Sequence, residues 1–276
     1  MPPLVALLTD FGLRDHYVGA MKGVVLAACP EATLVDVGHE VAAHDVMEGA
    51  LTLAAVVTAF PAGTVFLAVV DPGVGSGRRG LAAEAGGYRF VGPDNGLLSL
   101  ALSERERPRV HALTNAGLFR HEVSPVFHGR DVFAPVAGLL ARGLPLEDVG
   151  PAVMDPVTLA VPALEHPRPG DWRAVVLHVD RFGNLTTNLR KAELEAISAS
   201  VPEGEAGLLV ELEDSVIPLA RTYSDVAVGQ PLALIGSSGR LEIAVHRGSA
   251  ARVLGAGEGA VVRLRRAVAA AAEDDL

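Results

Sequence analysis

In its first half the chain alternates unbroken apolar runs with stretches of helical periodicity. Residues 4–8 (Leu-Val-Ala-Leu-Leu) and 64–70 (Thr-Val-Phe-Leu-Ala-Val-Val) are β-prone and carry no charge. Such runs read as strands buried on both faces. A third run, 33–37, lies between them. Over 15–28, Tyr17, Met21, Val24, Val25 and Ala28 recur at helical spacing, and Pro30 stops that helix. Asp45 is placed to cap a second helix ending near Ala59. This βαβαβ alternation predicts a parallel sheet with right-handed crossovers. Runs 81–85 and 88–91 flank Gly86-Gly87 and read as a hairpin. A turn at 92–96, a short helix through Ser103 and a strand over 109–113 follow. Asp131 is a candidate N-cap for a helix over 132–142, with Pro135 in its first turn and Gly143 at its C′ position.

The pattern changes after residues 160–171, a stretch rich in proline and charge that reads as a linker. We place the domain boundary there, giving domains over 1–162 and 163–276. Short β-runs at 174–179, 207–212, 232–235, 241–245 and 259–264 are separated by Gly, Ser and Asp turns. Only 191–198 looks helical in this half. An antiparallel barrel or sandwich is expected. Residues 266–276 form an Ala-rich, acidic tail.

Composition narrows the class. With 50% hydrophobic residues and a mean hydropathy of +0.34, the chain has enough apolar surface to fold rather than stay disordered. A net charge of −10 argues against nucleic acid or an anionic membrane as partner. The single cysteine, Cys29, allows no internal disulfide and fits a reducing cytosol. The N-terminal residues lack the basic region of a signal peptide, and no apolar run is long enough to cross a bilayer. A soluble, cytoplasmic protein is expected.

The candidate chemistry lies where apolar runs end. Asp10 follows the first strand and Asp71 the third, so both fall at one edge of the sheet, where open α/β sheets bind ligands. After Asp71 comes Pro72-Gly73-Val74-Gly75-Ser76-Gly77-Arg78, whose glycines can turn Arg78 back beside Asp71. A carboxylate and guanidinium held together could position a small polar reactant; a solvated ion pair on a surface loop is the plainer alternative. His128 sits just before a helix start and suits either catalysis or a structural hydrogen bond. In the second half, Asp180-Arg181-Phe182-Gly183-Asn184 combines an acid, a ring and an amide, which suits a polar molecule with a flat base. Gly236-Ser237-Ser238-Gly239-Arg240 is a small-residue loop entering a strand. Both stretches also have ordinary turn composition. The chain lacks a Walker A sequence, G-x-G-x-x-G before a helix, H-E-x-x-H and G-x-S-x-G. A carboxylate metal site from Asp10, Asp71 and Asp180 is left open by this reading.

Five segments occur in order: Thr9-Asp10-Phe11-Gly12, Asp71-Pro72-Gly73-Val74-Gly75 with Arg78, Phe127-His128-Gly129-Arg130-Asp131, Asp180 with Phe182-Gly183-Asn184, and Ser237-Ser238-Gly239-Arg240-Leu241. Together they resemble the S-adenosyl-L-methionine (SAM) hydroxide adenosyltransferases, relatives of the fluorinase and chlorinase. The resemblance implies a Rossmann-like α/β N-terminal domain, a C-terminal antiparallel β-barrel, and a homotrimer whose sites join one subunit's N-domain to a neighbour's C-domain. It implies conversion of SAM and water to adenosine and L-methionine, with no cofactor and no metal. The family's Asp-Arg-His set falls on Asp71, Arg78 and His128. Substrate-binding positions fall on Asp10, which matches the ribose acid, and on Phe11, Asp180, Phe182, Asn184, Ser237 and Val245. Three positions depart from the relatives: Gly236 where they have Asn, Ser238 where they have an aromatic residue or Arg, and His44 at a ring-stacking position.

The chemistry agrees with the residues. Attack at C5′ of a sulfonium expels a neutral thioether, so the leaving group needs no acid. What remains is to place water in line and ease its deprotonation. A carboxylate beside arginine is a weak base, so Asp71 could act as base or merely orient an Arg78-stabilised nucleophile. The rival readings are a halide-using adenosyl transferase of the same fold, a non-catalytic SAM or nucleoside-binding protein, and a metal-dependent hydrolase.

Overall fold

The computed structural model describes residues 2–200 and 208–266. It divides into two compact units, Met1–Leu159 and Ala160–Leu276.

Unit 1 runs β1 (Leu4–Thr9), α1 (Tyr17–Ala28), β2 (Thr33–Gly38), α2 (Val46–Val56), β3 (Val65–Val69), β4 (Gly80–Ala85), β5 (Tyr88–Pro93), α3 (Ser99–Ser103), β6 (Arg109–Ala112) and α4 (Ala134–Ala141). The sheet order is β2-β1-β3-β5-β4-β6. β1 pairs with β2 and β3 in parallel, β3 with β5 in parallel, and β4 runs antiparallel between β5 and β6. The alternation of side chains along each strand divides the core into two layers. Val5, Leu7, Val65, Leu67 and Val69 face one way, onto Met21 and Val25 of α1 and Ala137 and Leu140 of α4. Ala6, Leu8, Phe66, Ala68 and Val70 face the other way, onto Leu53 of α2 and Ala101 of α3. Because both faces are covered, β1 and β3 carry no polar side chain until they reach Thr9 and Asp71 at the sheet edge. The Asp45 carboxylate accepts from the Glu48 N–H at 2.8 Å and caps α2 as expected; such a cap stabilises a helix by about 1 kcal/mol.

Unit 2 runs β7 (Glu165–Arg168), β8 (Asp171–Val179), β9 (Leu185–Arg190), α5 (Lys191–Ala199), β10 (Leu208–Leu212), β11 (Ser215–Ile217), β12 (Pro231–Ile235), β13 (Arg240–Val245), α6 (Ala250–Leu254) and β14 (Val261–Arg266). Its strands follow the order β11-β10-β14-β8-β9-β13-β12, with β7 on β8, all in antiparallel pairs. The sheet curls into a nearly closed barrel, its ends meeting where Leu219 bridges Ala233. Alternate residues Trp172, Ala174, Val176, Leu241, Ile243, Val262 and Leu264 fill the interior.

Several expectations change. Part of the proline-rich linker is a strand, β7, because Pro167 occupies an edge where no donor is needed. β9 and β11 went unread: β9 is polar on one face and follows directly on a turn, and β11 spans three residues. Unit 2 holds a second helix, α6, started by the Ser249 hydroxyl, which accepts from the Arg252 N–H. Asp131 is not an N-cap. It lies within a π-turn over Gly129–Phe133, fully buried and paired with two arginines. The acidic tail over 267–276 and the start of the run at Gly207 lie outside the described residues.

Candidate active site

In unit 1 the site begins at the carboxyl ends of β1 and β3, which are parallel neighbours with Thr9 level with Val69. Asp10 and Asp71 therefore leave the sheet at the same edge. The loop after Asp71 curls through two tight turns, closed by Val74 N–H to Asp71 O at 3.2 Å and Ser76 N–H to Gly73 O at 3.1 Å. Gly75 has φ +79°, and a Cβ there would come within 2.7 Å of the Pro125 carbonyl. Only glycine fits that contact, which seats the loop against the segment leading to His128.

The loop returns Arg78 to Asp71. Arg78 Nε donates to Asp71 Oδ1 at 2.8 Å, and Nη2 donates to Oδ2 in a short bidentate pair. Both side chains are almost wholly buried, and the guanidinium lies over the Phe133 ring at 5.2 Å. Arg78 Nη2 is also 3.0 Å from His128 Nδ1. Arginine only donates, so Nδ1 is the acceptor and a neutral His128 carries its proton on Nε2. Burial and the Arg78 charge push the His128 pKa down, outweighing Asp71 and Asp131. The three residues expected to act together therefore meet in one chain of hydrogen bonds.

A second cluster fixes the segment that carries His128. Asp131 Oδ1 accepts from Arg130 Nε at 2.7 Å and Arg120 Nη1 at 2.9 Å; Oδ2 accepts from Arg130 Nη2 at 2.8 Å and the Ser124 N–H at 2.9 Å. Burial works against this carboxylate, but the bonds from Arg130 and Ser124 hold its pKa low. Phe11 forms an edge-to-face cluster with Tyr17 and Phe127, at centroid distances of 5.8 and 6.1 Å. It thus supports this segment from below. Asp10 Oδ2 accepts from the His44 N–H at 2.9 Å. The His44 ring is 74% exposed beside it.

In unit 2, Asp180 follows β8 and organises its own turn. Oδ1 accepts from the Phe182 and Asn184 N–H groups at 2.8 Å each, and Oδ2 accepts from Asn184 Nδ2 at 2.9 Å. Gly183 has φ +84°, and a Cβ there would overlap the Ser249 hydroxyl at 2.0 Å. The turn leaves Phe182 75% exposed. Phe182, Asn184 and Val245 line an open cavity of about 550 Å³ together with Tyr223, Arg247 and Arg252. Ser237 sits apart from that lining, exposed at the tip of the β12–β13 turn. Gly236 explains itself by space: a Cβ would lie 2.6 Å from Glu242 Oε2.

Sequence reasoning missed Tyr223 and Glu242. Tyr223 Oη donates to Glu242 Oε1 at 2.8 Å. Burial and this bond push the Tyr223 pKa up to about 12. Burial, with the Asp180 charge, also raises that of Glu242 against the opposing bond from Tyr223. The available signal was one of only three tyrosines in an aromatic-poor chain, set in a polar Arg221-Thr222-Tyr223-Ser224-Asp225 segment. Among the described residues, no three His, Cys, Asp or Glu side chains converge as a metal site requires. No helix among them is long and apolar enough to cross a membrane.

Comparison with known proteins identifies the family. The (R)-S-adenosyl-L-methionine hydrolase of Thermus thermophilus is 42% identical, spanning 94% of this chain and 98% of its own length. That of Salinispora tropica is 41% identical, over 95% and 97%. A fluorinase of Actinoplanes sp. is more distant, at 30% over 88% and 90%. The crystal structure of a conserved protein from Thermotoga maritima superimposes with a TM-score of 0.86 at 34% identity, over 95% of this chain and all of that one. Family models for the SAM hydroxide adenosyltransferase N-terminal and C-terminal domains match residues 5–150 and 174–263. With both domain models matched in order over most of its length, the chain belongs to the SAM hydroxide adenosyltransferase family.

Proposed function

We propose that this protein hydrolyses SAM by attack of water at the ribose C5′, releasing adenosine and L-methionine. The observation that carries the reading is the buried Asp71–Arg78–His128 chain at the sheet edge, in a protein whose relatives at about this identity are named SAM hydrolases. The water oxygen forms a bond to C5′ as the C5′–S bond breaks and sulfur keeps the electron pair. The oxygen attacks as neutral water and becomes strongly acidic as its bond forms. A weak base suffices to take its proton. Each Asp71 oxygen accepts one N–H from Arg78 and keeps a second lone pair. Asp71 accepts the water hydrogen with that lone pair, Arg78 fixes the carboxylate, and His128 fixes Arg78. No group donates a proton to the thioether, which leaves neutral.

Asp10 holds the ribose hydroxyls. The cavity bounded by Phe182, Asn184 and Val245 takes the rest of the substrate, with Asp180 shaping its turn and Ser237 meeting the amino-acid end. The active assembly is a homotrimer in which unit 1 of one subunit and unit 2 of another complete each site. The outward Phe182 ring supports this, because a stacking aromatic left so open needs a further surface to enclose its ligand. A cytoplasmic location agrees with the single cysteine. The L-methionine portion already fixes the α-carbon, so the R in the relatives' name denotes the sulfonium centre. That epimer is the substrate assigned here.

The deciding experiment incubates the protein separately with each sulfonium epimer, with and without chelator and with and without halide, and identifies the products. Adenosine and methionine from the R form under all conditions support the reading. Binding without turnover, loss of activity to chelator, or a halogenated nucleoside as main product would each replace it with one of the rivals.

A further inference from the structure

A buried polar chain lies behind Asp10 and takes no part in the chemistry above. Thr9 ends β1 and His39 follows β2, and both are buried. His39 Nδ1 is 2.8 Å from Thr9 Oγ1, which itself accepts from the Phe11 N–H at 3.2 Å. His39 Nε2 lies 3.0 Å from Asp36 Oδ1, off the line of a good hydrogen bond. Asp36 Oδ2 accepts from Lys22 Nζ at 2.7 Å. Proton positions follow from these partners. The Asp36 carboxylate beside His39 Nε2 is an acceptor, so in a neutral imidazole Nδ1 is left to take the Thr9 hydroxyl hydrogen. The imidazole proton then sits on Nε2, toward the Asp36 carboxylate.

The same histidine acts through its backbone. Gly12 N–H donates to His39 O at 2.7 Å. The four-residue corner Thr9–Gly12 is therefore tied at both ends to one residue, with Asp10 between the ties. The His44 N–H on the Asp10 carboxylate is a third link from the same strand exit. An apolar pair could join β1 to β2 here without desolvating a histidine. What the polar chain adds is direction, because hydrogen bonds fix the rotation of the peptide planes on either side of Asp10.

We propose that Thr9 and His39 are positioning residues for Asp10, setting the angle at which its carboxylate meets the vicinal hydroxyls of a nucleoside. The inference rests on Asp10 holding the ribose in the reading above. Lys22 and Asp36 complete the device by anchoring the imidazole from behind.

The test compares Thr9→Val, which keeps the shape and removes the hydroxyl, with Thr9→Ser, which keeps the hydroxyl. Kinetics are measured with SAM and with its 2′-deoxy analogue. Thr9→Val should raise KM for SAM about tenfold, the factor carried by one well-placed hydrogen bond, with kcat nearly unchanged. Thr9→Ser should restore it. The penalty wild type suffers with the deoxy analogue should shrink in Thr9→Val, because that carboxylate is already misaligned. An unchanged KM in Thr9→Val, equal damage in Thr9→Ser, or an undiminished deoxy penalty overturns the proposal. Amide hydrogen exchange at Phe11 and Gly12 needs no turnover: faster exchange in Thr9→Val supports the clamp, and unchanged exchange rejects it. Wild type that turns over no SAM would strike the functional reading, and the exchange measurement would still judge the clamp. Should Thr9→Val fail to fold, His39→Gln, which can still accept from Thr9, carries the same comparison with a smaller expected rise in KM.

Discussion

His128 accepts a hydrogen bond from Arg78 across 3.0 Å, and a guanidinium can offer nothing but a donor. Protonating His128 would remove that acceptor and set two cations side by side. Burial and Arg78 already lower the His128 pKa from its ordinary 6.5. The active form is therefore the neutral one, and activity is lost only as pH falls through the lowered value. We expect kcat/KM to be flat through neutral pH, with an acid limb below 6.5. His128→Asn keeps an acceptor near the Nδ1 position and should retain more activity than His128→Ala while losing that limb. An acid limb at or above the ordinary histidine value would contradict a neutral acceptor.

Arg78 contributes geometry as much as charge. Its fork binds both Asp71 oxygens and leaves a hydrogen for His128. Lysine cannot span three such acceptors. Arg78→Lys, Arg78→Ala and Asp71→Ala should each reduce kcat by at least roughly tenfold to a hundredfold. Circular dichroism should show them folded. Wild-type kcat in Arg78→Lys would mean that charge alone is needed.

Glu242 gives a stability prediction. Its carboxyl is pushed up by burial and by Asp180. A carboxyl raised in the folded state stabilises the fold below its unfolded value, and that contribution is lost as pH rises through the folded value. Glu242→Gln removes the titration but keeps an oxygen for the Tyr223 hydroxyl. The variant should therefore gain Tm relative to wild type as pH rises from acid to alkaline. A Tm difference independent of pH would show that the Glu242 carboxyl titrates alike in the folded and unfolded protein, and that burial does not raise it.

The legibility of the sequence followed the periodicity of its side chains. The βαβαβ order, the Gly86-Gly87 hairpin and the Asp45 cap could be read because buried strands are uniformly apolar and turns and caps have local signatures. The loop's glycines made a return of Arg78 to Asp71 possible without deciding whether that pair is buried or solvated. Asp131 misled because an acid before an apolar run looks like a cap. Its arginine partners, Arg120 and Arg130, are visible only once the loop has folded. Tyr223 and Glu242 were illegible for a related reason. Their bond spans 19 positions between a polar loop and a strand, and neither carries a local pattern. His39 lay two residues past a run read as ordinary strand. Its importance comes from a tie to Thr9, 30 positions away.

Assembly can be tested by complementation. Asp71→Ala disables the unit 1 part of a site and Asp180→Ala the unit 2 part. If each site draws on two subunits, a mixed oligomer rebuilds some intact sites from two inactive proteins. Mixing after mild dissociation should therefore restore measurable SAM turnover. No recovery, with subunit exchange shown by mass spectrometry, would place each site within one subunit.

The choice of nucleophile turns on Arg78 and Asp71. Halide binding needs N–H donors that are still free. Here Arg78 Nε and both Nη2 hydrogens go to Asp71 and His128, and Nη1 is 3.4 Å from the Arg79 carbonyl, which leaves at most one Arg78 hydrogen for an anion. An anion about 4 Å from the Asp71 carboxylate would also meet a repulsion of roughly 4 kcal/mol at an effective dielectric near 20, only part of which Arg78 offsets. Neutral water meets no such repulsion and can donate to the carboxylate. A net preference of about 3 kcal/mol corresponds to a selectivity of about a hundredfold. Turnover of SAM in concentrated chloride should accordingly yield adenosine as the main product, with 5′-chloro-5′-deoxyadenosine a minor one. An excess of the chlorinated nucleoside would refute water as the favoured nucleophile. Asp71→Asn sharpens the comparison, since it removes the charge, keeps the shape and adds a donor. It should lose hydrolysis through want of a proton acceptor, and chloride should become a better competitive ligand for the site. Unchanged chloride affinity in Asp71→Asn would show that Asp71 does not face the incoming nucleophile, and would shift the role of water-holding group to another residue at the sheet edge.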